Sequence, residues 1–159
     1  MRPVGAKVGL DTSVVVPLLA AEHASHEKTR REVERLRQQQ ARIVVAPHAL
    51  LESYSVLTRM PPPYRFSPEA AEQLLRDNFA DGAEVPGLTP ESLWPWLQEF
   101  ALKGISGGSI YDAVIARSTF KAGAGVLLTW NLDDFLRVAP AGLEVLTPEH
   151  YAVQSSRLH

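Results

Sequence analysis

Four acidic positions in this chain carry residue types and settings suited to chemistry: Asp11, Glu52, Asp112 and Asp134. Asp11 ends the apolar run Val8-Gly9-Leu10 and is followed by two hydroxyl residues, Thr12 and Ser13. Asp134 lies in Trp130-Asn131-Leu132-Asp133-Asp134-Phe135, directly after Val126-Leu127-Leu128-Thr129. Glu52 and Asp112 fall in early turns of two predicted helices. Carboxylates brought together repel one another unless a cation neutralises them or some take up protons. Oxygen-rich sites suit Mg²⁺ or Mn²⁺. Such ions clamp phosphate oxygens and activate water for in-line attack, so the set points to phosphodiester hydrolysis.

Taken singly, each acid has a structural role open to it. Asp11 can cap the helix that follows it. Glu52 can be a solvated or ion-paired helix residue. Asp133 and Asp134 can be turn formers. Asp112 stands three residues after Ser109, which resembles a capping box with Asp in place of Glu or Gln. What favours chemistry is the shared placement of these acids once the elements around them are drawn.

A strand ends near Asp11 and a short helix follows, with Pro17 expected in its first turn, where proline is tolerated. From about 24 to 40 the chain is polar, with Val33 and Leu36 as an inward stripe, so it reads as a solvated amphipathic helix. Its Lys28, Arg30, Arg31, Arg35 and Arg37 read as a wet face rather than an RNA-binding patch. Arg42-Ile43-Val44-Val45-Ala46 is a β-branched strand. Pro47 then opens a helix over 48–60, with Leu50, Leu51, Tyr54 and Leu57 expected inward. Ser67-Pro68-Glu69, Thr89-Pro90-Glu91 and Thr147-Pro148-Glu149 each supply an N-cap, a proline at the first position and an acid for the helix dipole. They predict helices over 68–79, over 90–103 and from 148 onward. Ala83-Glu84-Val85 is a short strand between the first two. Gly107-Gly108 precedes a helix capped by Ser109, with Tyr111, Val114 and Ile115 at helical spacing. Val126–Thr129 and Leu143–Leu146 are the last strands. Strands alternating with helices imply a parallel sheet covered on both faces. In such sheets ligands gather outside the carboxyl ends of the strands, which is where all four acids fall.

Composition sets the frame. The chain has 159 residues, 45% apolar and 21% charged, consistent with one folded domain over 1–159. The net charge of -2 gives no general attraction to polyanions. Without cysteine there is no disulfide and no thiolate metal site. No run approaches the length of a membrane span and no cleavable leader is apparent, so a cytoplasmic protein is expected.

Leu10-Asp11-Thr12-Ser13, Glu52 within Leu50-Leu51-Glu52-Ser53-Tyr54-Ser55-Val56-Leu57, Tyr111-Asp112-Ala113, and Leu128-Thr129-Trp130-Asn131-Leu132-Asp133-Asp134-Phe135 occur in an order that resembles the PIN domain, in its VapC-like toxin branch. The resemblance runs across nearly the whole chain. It implies a three-layer α/β/α sandwich around a mostly parallel sheet of about five strands. It further implies an endoribonuclease dependent on Mg²⁺ or Mn²⁺, a cognate antitoxin and a homodimer. By motif matching, Asp11, Glu52 and Asp112 take the family's first three acidic positions, with Thr12 or Ser13 as the small hydroxyl beside the first. At the fourth position many relatives place an acid two residues after the threonine, where this chain has Asn131; Asp134 is the expected substitute. The expected metal ligands are therefore Asp11, Asp112 and Asp134, with Glu52 catalytic and Thr12, Ser13 and Asn131 in support. Two other functions fit the same fold: a housekeeping RNA-processing nuclease, and a catalytically silent RNA-binding module, against which the three acids speak. A nucleotide-binding protein is disfavoured because no glycine-rich phosphate loop follows a strand.

Overall fold

The structure, a computed structural model, describes residues 5–157. Five short strands, β1 (Lys7–Leu10), β2 (Arg42–Val44), β3 (Ala83–Glu84), β4 (Val126–Leu128) and β5 (Glu144–Leu146), form one sheet in the order β3-β2-β1-β4-β5. Every pairing is parallel. Parallel neighbours need crossover connections, and right-handed crossovers place helices on both faces. The helices are α1 (Thr12–Leu19), α2 (His26–Gln38), α3 (Pro47–Arg59), α4 (Pro68–Phe79), α5 (Pro90–Leu102), α6 (Ser109–Lys121), α7 (Leu132–Leu136) and α8 (Pro148–Ser156). This is the expected three-layer α/β/α architecture. Among the described residues, no helix is long and apolar enough to cross a membrane.

The chain runs outward from β1 through β2 to β3, then returns to the other side of β1 for β4 and β5. The direction of winding therefore reverses between β1 and β4. A crevice forms where the connections leave these two strands in opposite directions, and it opens at their carboxyl ends.

Local chemistry explains the helix starts. Ser67, Thr89 and Thr147 each accept a hydrogen bond from a backbone N–H three residues on, at Ala70, Ser92 and His150, with proline at the first helical position. On α2, Val33 and Leu36 are buried and the cations pair with nearby acids: Arg30 with Glu27 and Glu34, Arg35 with Glu32, Lys28 with Glu149. The basic face is largely satisfied within the fold.

Three local expectations are corrected. Pro17 lies well inside α1, because the helix starts at Thr12, immediately after the strand. It therefore removes an interior N–H rather than an orphan one. The buried face of α3 is Ala49, Ser53 and Leu57, while Leu51 is 69% exposed and Tyr54 is exposed as well. Apolar residues occur nearly all round this helix, so periodicity leaves its rotation open. Contact with α1 and α6 favours the small residues inward. Finally, Gly108 and not Ser109 precedes the first turn of α6, and no side chain caps it.

Helix α6 lies tightly on the central strand at Gly9. A Cβ on Gly9 of β1 would lie 2.2 Å from Thr119 Cγ2 of α6 and 3.2 Å from Leu127 Cδ1 of β4. Contacts that short are not tolerated, so Gly9 sets how closely α6 lies on the sheet. Gly9→Ala is expected to destabilise the fold by roughly 1–3 kcal/mol through overpacking, read as a lower melting temperature. Thr119→Ser in the same background removes the clashing methyl, keeps a hydroxyl for the Ile115 carbonyl, and should recover part of the loss. An unchanged melting temperature in Gly9→Ala would show that the layers are not held this tightly.

Candidate active site

Asp11 stands at the carboxyl end of the central strand and is 1% exposed. Its Oδ2 accepts from the Thr129 hydroxyl at 2.6 Å, and its Oδ1 accepts from the Ser13 backbone N–H. It thereby caps α1, as one reading of the sequence held. Each carboxylate oxygen still has acceptor capacity after these bonds, so capping and ligation are compatible. Burial is the largest influence on its acidity and pushes its pKa up to about 6; the hydrogen bonds from Thr129 and Ser13 offset only part of this.

Thr129 ties the crevice together. It directly follows β4, donates to Asp11, and accepts from the Asn131 backbone N–H at 2.9 Å. Ser13 Oγ lies 3.2 Å from Thr129 Oγ1 and accepts from the Trp130 backbone N–H at 2.8 Å. The first turn of α1 is thus bonded to the turn after β4 across the switch point. Trp130 is held by a bond from its indole N–H to Thr29 at 3.0 Å.

Glu52 reaches the same crevice from the second turn of α3, where Thr12 donates to its Oε2 at 3.0 Å. Asp112 comes from the first turn of α6. Its pKa is raised, first by burial and then by the charges of Glu52 and Asp134, with His48 acting the other way. The absence of a capping bond at this helix start removes the structural role that Ser109 and Asp112 might have shared.

Asp11, Glu52 and Asp112 line one cavity of about 360 Å³, together with Thr12, Ser13 and Asn131. No Lys or Arg is among the described residues that line it. Asp134 is not on the cavity wall. Its side chain is 60% exposed and 4.0 Å from Arg137, close enough to Asp112 for its charge to be felt. Asp133 is also exposed, and Phe135 is buried against the core. Asn131 precedes α7 without capping it through its side chain.

The donor set fits a hard divalent cation. Its carboxylates supply oxygen, it gathers negative charge without a Lys or Arg among the described residues that line it, and two of its carboxyls hold protons more tightly than usual. The groups line the cavity without meeting at one point: among the described residues, no three His, Asp or Glu side chains gather closely enough to enclose one ion.

Sequence reasoning missed several residues here. Thr129 was legible only as the end of a strand. His23 and Ser25, from the α1–α2 turn, also line the cavity. His48 and Tyr111 stack face to face, with ring centroids 4.7 Å apart and planes within 3°.

Comparison with known proteins places these features in context. A family model described as the PIN domain matches residues 8–140. The chain is 38% identical over 109 residues to ribonuclease VapC27 of Mycobacterium tuberculosis, covering 69% of this chain and 74% of that one. It is 36% identical over 128 residues to ribonuclease VapC40 of the same species, covering 77% and 84%. In fold it is similar to VapBC2 from Rickettsia felis, solved bound to a DNA fragment from their promoter, at a TM-score of 0.62 and 19% identity over 89% of this chain and 98% of that one. It is likewise similar to VapBC-1 from nontypeable Haemophilus influenzae, at a TM-score of 0.61 and 18% identity over 90% and 98%.

The raised pKa of Asp11 has a consequence for stability. The folded chain keeps this proton up to about pH 6, whereas the unfolded chain gives it up near the ordinary value of 3.8. Stability from this group is therefore full below about pH 4 and is lost as pH rises through about 6. At about 1.4 kcal/mol for each pKa unit, the ionised carboxylate costs the folded state on the order of 3 kcal/mol. Asn caps a helix as well as Asp does. In chelator at pH 8, Asp11→Asn should therefore melt several degrees above the parent, and the difference should close by pH 4. A variant that melts lower than the parent at pH 8 would show that the charge is not a burden to the fold.

Proposed function

The chain belongs to the PIN domain family, in its VapC-like branch, and from that premise we propose that it is a metal-dependent endoribonuclease, the toxin of a toxin–antitoxin pair. The observation that carries the reading is the cavity at the β1–β4 switch point, which three carboxylates line with no Lys or Arg among the described residues of its wall. A site of that charge repels a phosphodiester until a cation is present. The curated relatives carry the name ribonuclease, which supports RNA as the substrate.

Asp11 and Asp112 would hold Mg²⁺ or Mn²⁺ at the cavity, and Asp134, which lies off its wall, would reach the ion through a water. The bound ion would clamp the scissile phosphate and raise the acidity of an attacking water. Asp11 is fixed in place by Thr129 and Ser13, so its oxygens need no reorganisation during the reaction. Glu52, oriented by Thr12, is placed to accept a proton from water at the cavity wall. Asn131 supplies a carbonyl oxygen or holds a water between Asp134 and the site. Asp133 faces solvent and takes no part.

The proposed setting is the cytoplasm, with residues 1–159 acting as one domain, as a homodimer, and with an antitoxin as partner. The paired names of the structural relatives VapBC2 and VapBC-1 support such a partner. An arginine on an antitoxin tail that enters the cavity would pair with the carboxylates and replace the charge of the metal.

Two measurements test this. The purified chain should cleave RNA with Mg²⁺ or Mn²⁺ and stop on addition of chelator. Asp112→Asn should fold normally and lose on the order of a hundredfold or more in rate, since an amide holds a hard cation poorly. Cleavage at the parental rate would remove Asp112 from the site. Rates at fixed metal should also fall strongly in Asp134→Ala, moderately in Asn131→Ala and little in Asp133→Ala. Loss in Asp133→Ala with Asp134→Ala unaffected would reverse the assignment of the fourth position.

A further inference from the structure

The stacked pair His48–Tyr111 lies beside the carboxylates and is not used by the chemistry described so far. His48 is in the first turn of α3, four residues before Glu52; Tyr111 immediately precedes Asp112 on α6. The two rings are parallel within 3° at a centroid distance of 4.7 Å, which is the offset stacking that aromatic pairs favour. Yet Tyr111 is 52% exposed, so the pair is no part of the interior. It is an aromatic surface of fixed orientation next to the acids: Tyr111 adjoins Asp112 in sequence, and His48 Nε2 lies 3.9 Å from Glu52 Oε1.

The electrostatics show what such a surface is for. Binding to a nucleic-acid backbone ordinarily draws on Lys and Arg at the phosphates. This chain carries a net charge of -2, its cavity wall has no Lys or Arg among the described residues, and three of the cations on α2, Lys28, Arg30 and Arg35, pair with acids of the chain itself, while Arg37 donates to the side-chain amide oxygen of Asn78. The faces of the bases are the part of RNA that such a protein can still hold. Single-stranded nucleic acids are held by stacking bases on aromatic side chains, a contact open to any base because each has a π-face.

We infer that the His48–Tyr111 pair is a platform on which one unpaired base of the substrate stacks, so that the phosphodiester beside that base is set against Asp112 and Glu52. The inference rests on the ribonuclease reading and adds a positioning element to it. His48 holds the plane of the Tyr111 ring; Tyr111 offers its open face to the base. The phenol hydroxyl has no role.

The test uses the full chain with Mg²⁺ and a short single-stranded RNA spanning a bond first mapped in a long mixed-sequence RNA. 2-Aminopurine replaces, one position at a time, the bases around that bond, and its fluorescence is read on rapid mixing, before cleavage. Stacking on the platform should quench one position. Tyr111→Leu should abolish that quenching and raise KM about tenfold, the scale of one lost base–aromatic stack, with kcat within about twofold. Tyr111→Phe should keep both the quenching and the parental KM. His48→Ala should raise KM in the same direction as Tyr111→Leu. A parental KM and quenching in Tyr111→Leu, with cleavage intact, would overturn the platform and leave the ribonuclease reading standing. Equal damage in Tyr111→Phe and Tyr111→Leu would also overturn it, since the hydroxyl and not the ring face would then matter. A wild-type chain that cleaves no RNA would instead overturn the reading on which the platform rests.

Discussion

A carboxylate buried at the tip of the central strand is the constraint on which this molecule turns. Asp11 is almost wholly removed from water, and burial of an unpaired charge is costly. Among the described residues no Lys or Arg relieves it; it accepts from the Thr129 hydroxyl and the Ser13 backbone N–H. Those two bonds come from opposite sides of the switch point, Thr129 directly after β4 and Ser13 in α1. Satisfying Asp11 therefore also fixes the geometry of the crevice. A position with only a capping role would sit in solvent at little cost, as the three Ser and Thr caps elsewhere in the chain do to differing degrees. On the proposed reading, burial of charge at this site prepares it for a cation.

The rest of the fold presents further carboxylates to the same cavity. The all-parallel sheet brings the starts of α3 and α6 to the edge where β1 and β4 end. Gly9 lets α6 lie close on the sheet, which brings Asp112 near enough to Glu52 and Asp134 to feel both charges. Thr12 leans from α1 to orient Glu52 on α3. Each contact joins two elements, so the site is a property of the packing and not of any one motif.

Much of this was legible from residue types alone. The β-branched runs, the three Ser/Thr-Pro-Glu starts and the acid directly after an apolar run depend on local chemistry, and their elements stand where expected. The phase of α3 was not legible, because apolar residues occur nearly all round it and contact with α1, α4 and α6 selects Ala49, Ser53 and Leu57. Nor was the bond between Thr129 and Asp11, which joins residues 118 positions apart. The His48–Tyr111 stack is hidden for the same reason: it joins residues of two helices, and Tyr111 reads only as one of the apolar positions at helical spacing until those helices meet. The capping box at Ser109 was a plausible local pattern that the backbone does not use, which leaves Asp112 without a structural duty.

The central claim, that the buried carboxylates are discharged by a divalent cation, is tested most directly by counting protons. Calorimetric titration of Mn²⁺ into chelator-stripped protein, in buffers of different ionisation enthalpy, gives the number released at each pH. With Asp11 half-protonated near pH 6, the expected result is release of about half a proton or more per ion at pH 6 and almost none at pH 8. Asp11→Asn should weaken binding and remove most of that release. Tight binding with no proton released at pH 6, or binding undiminished in Asp11→Asn, would contradict the claim.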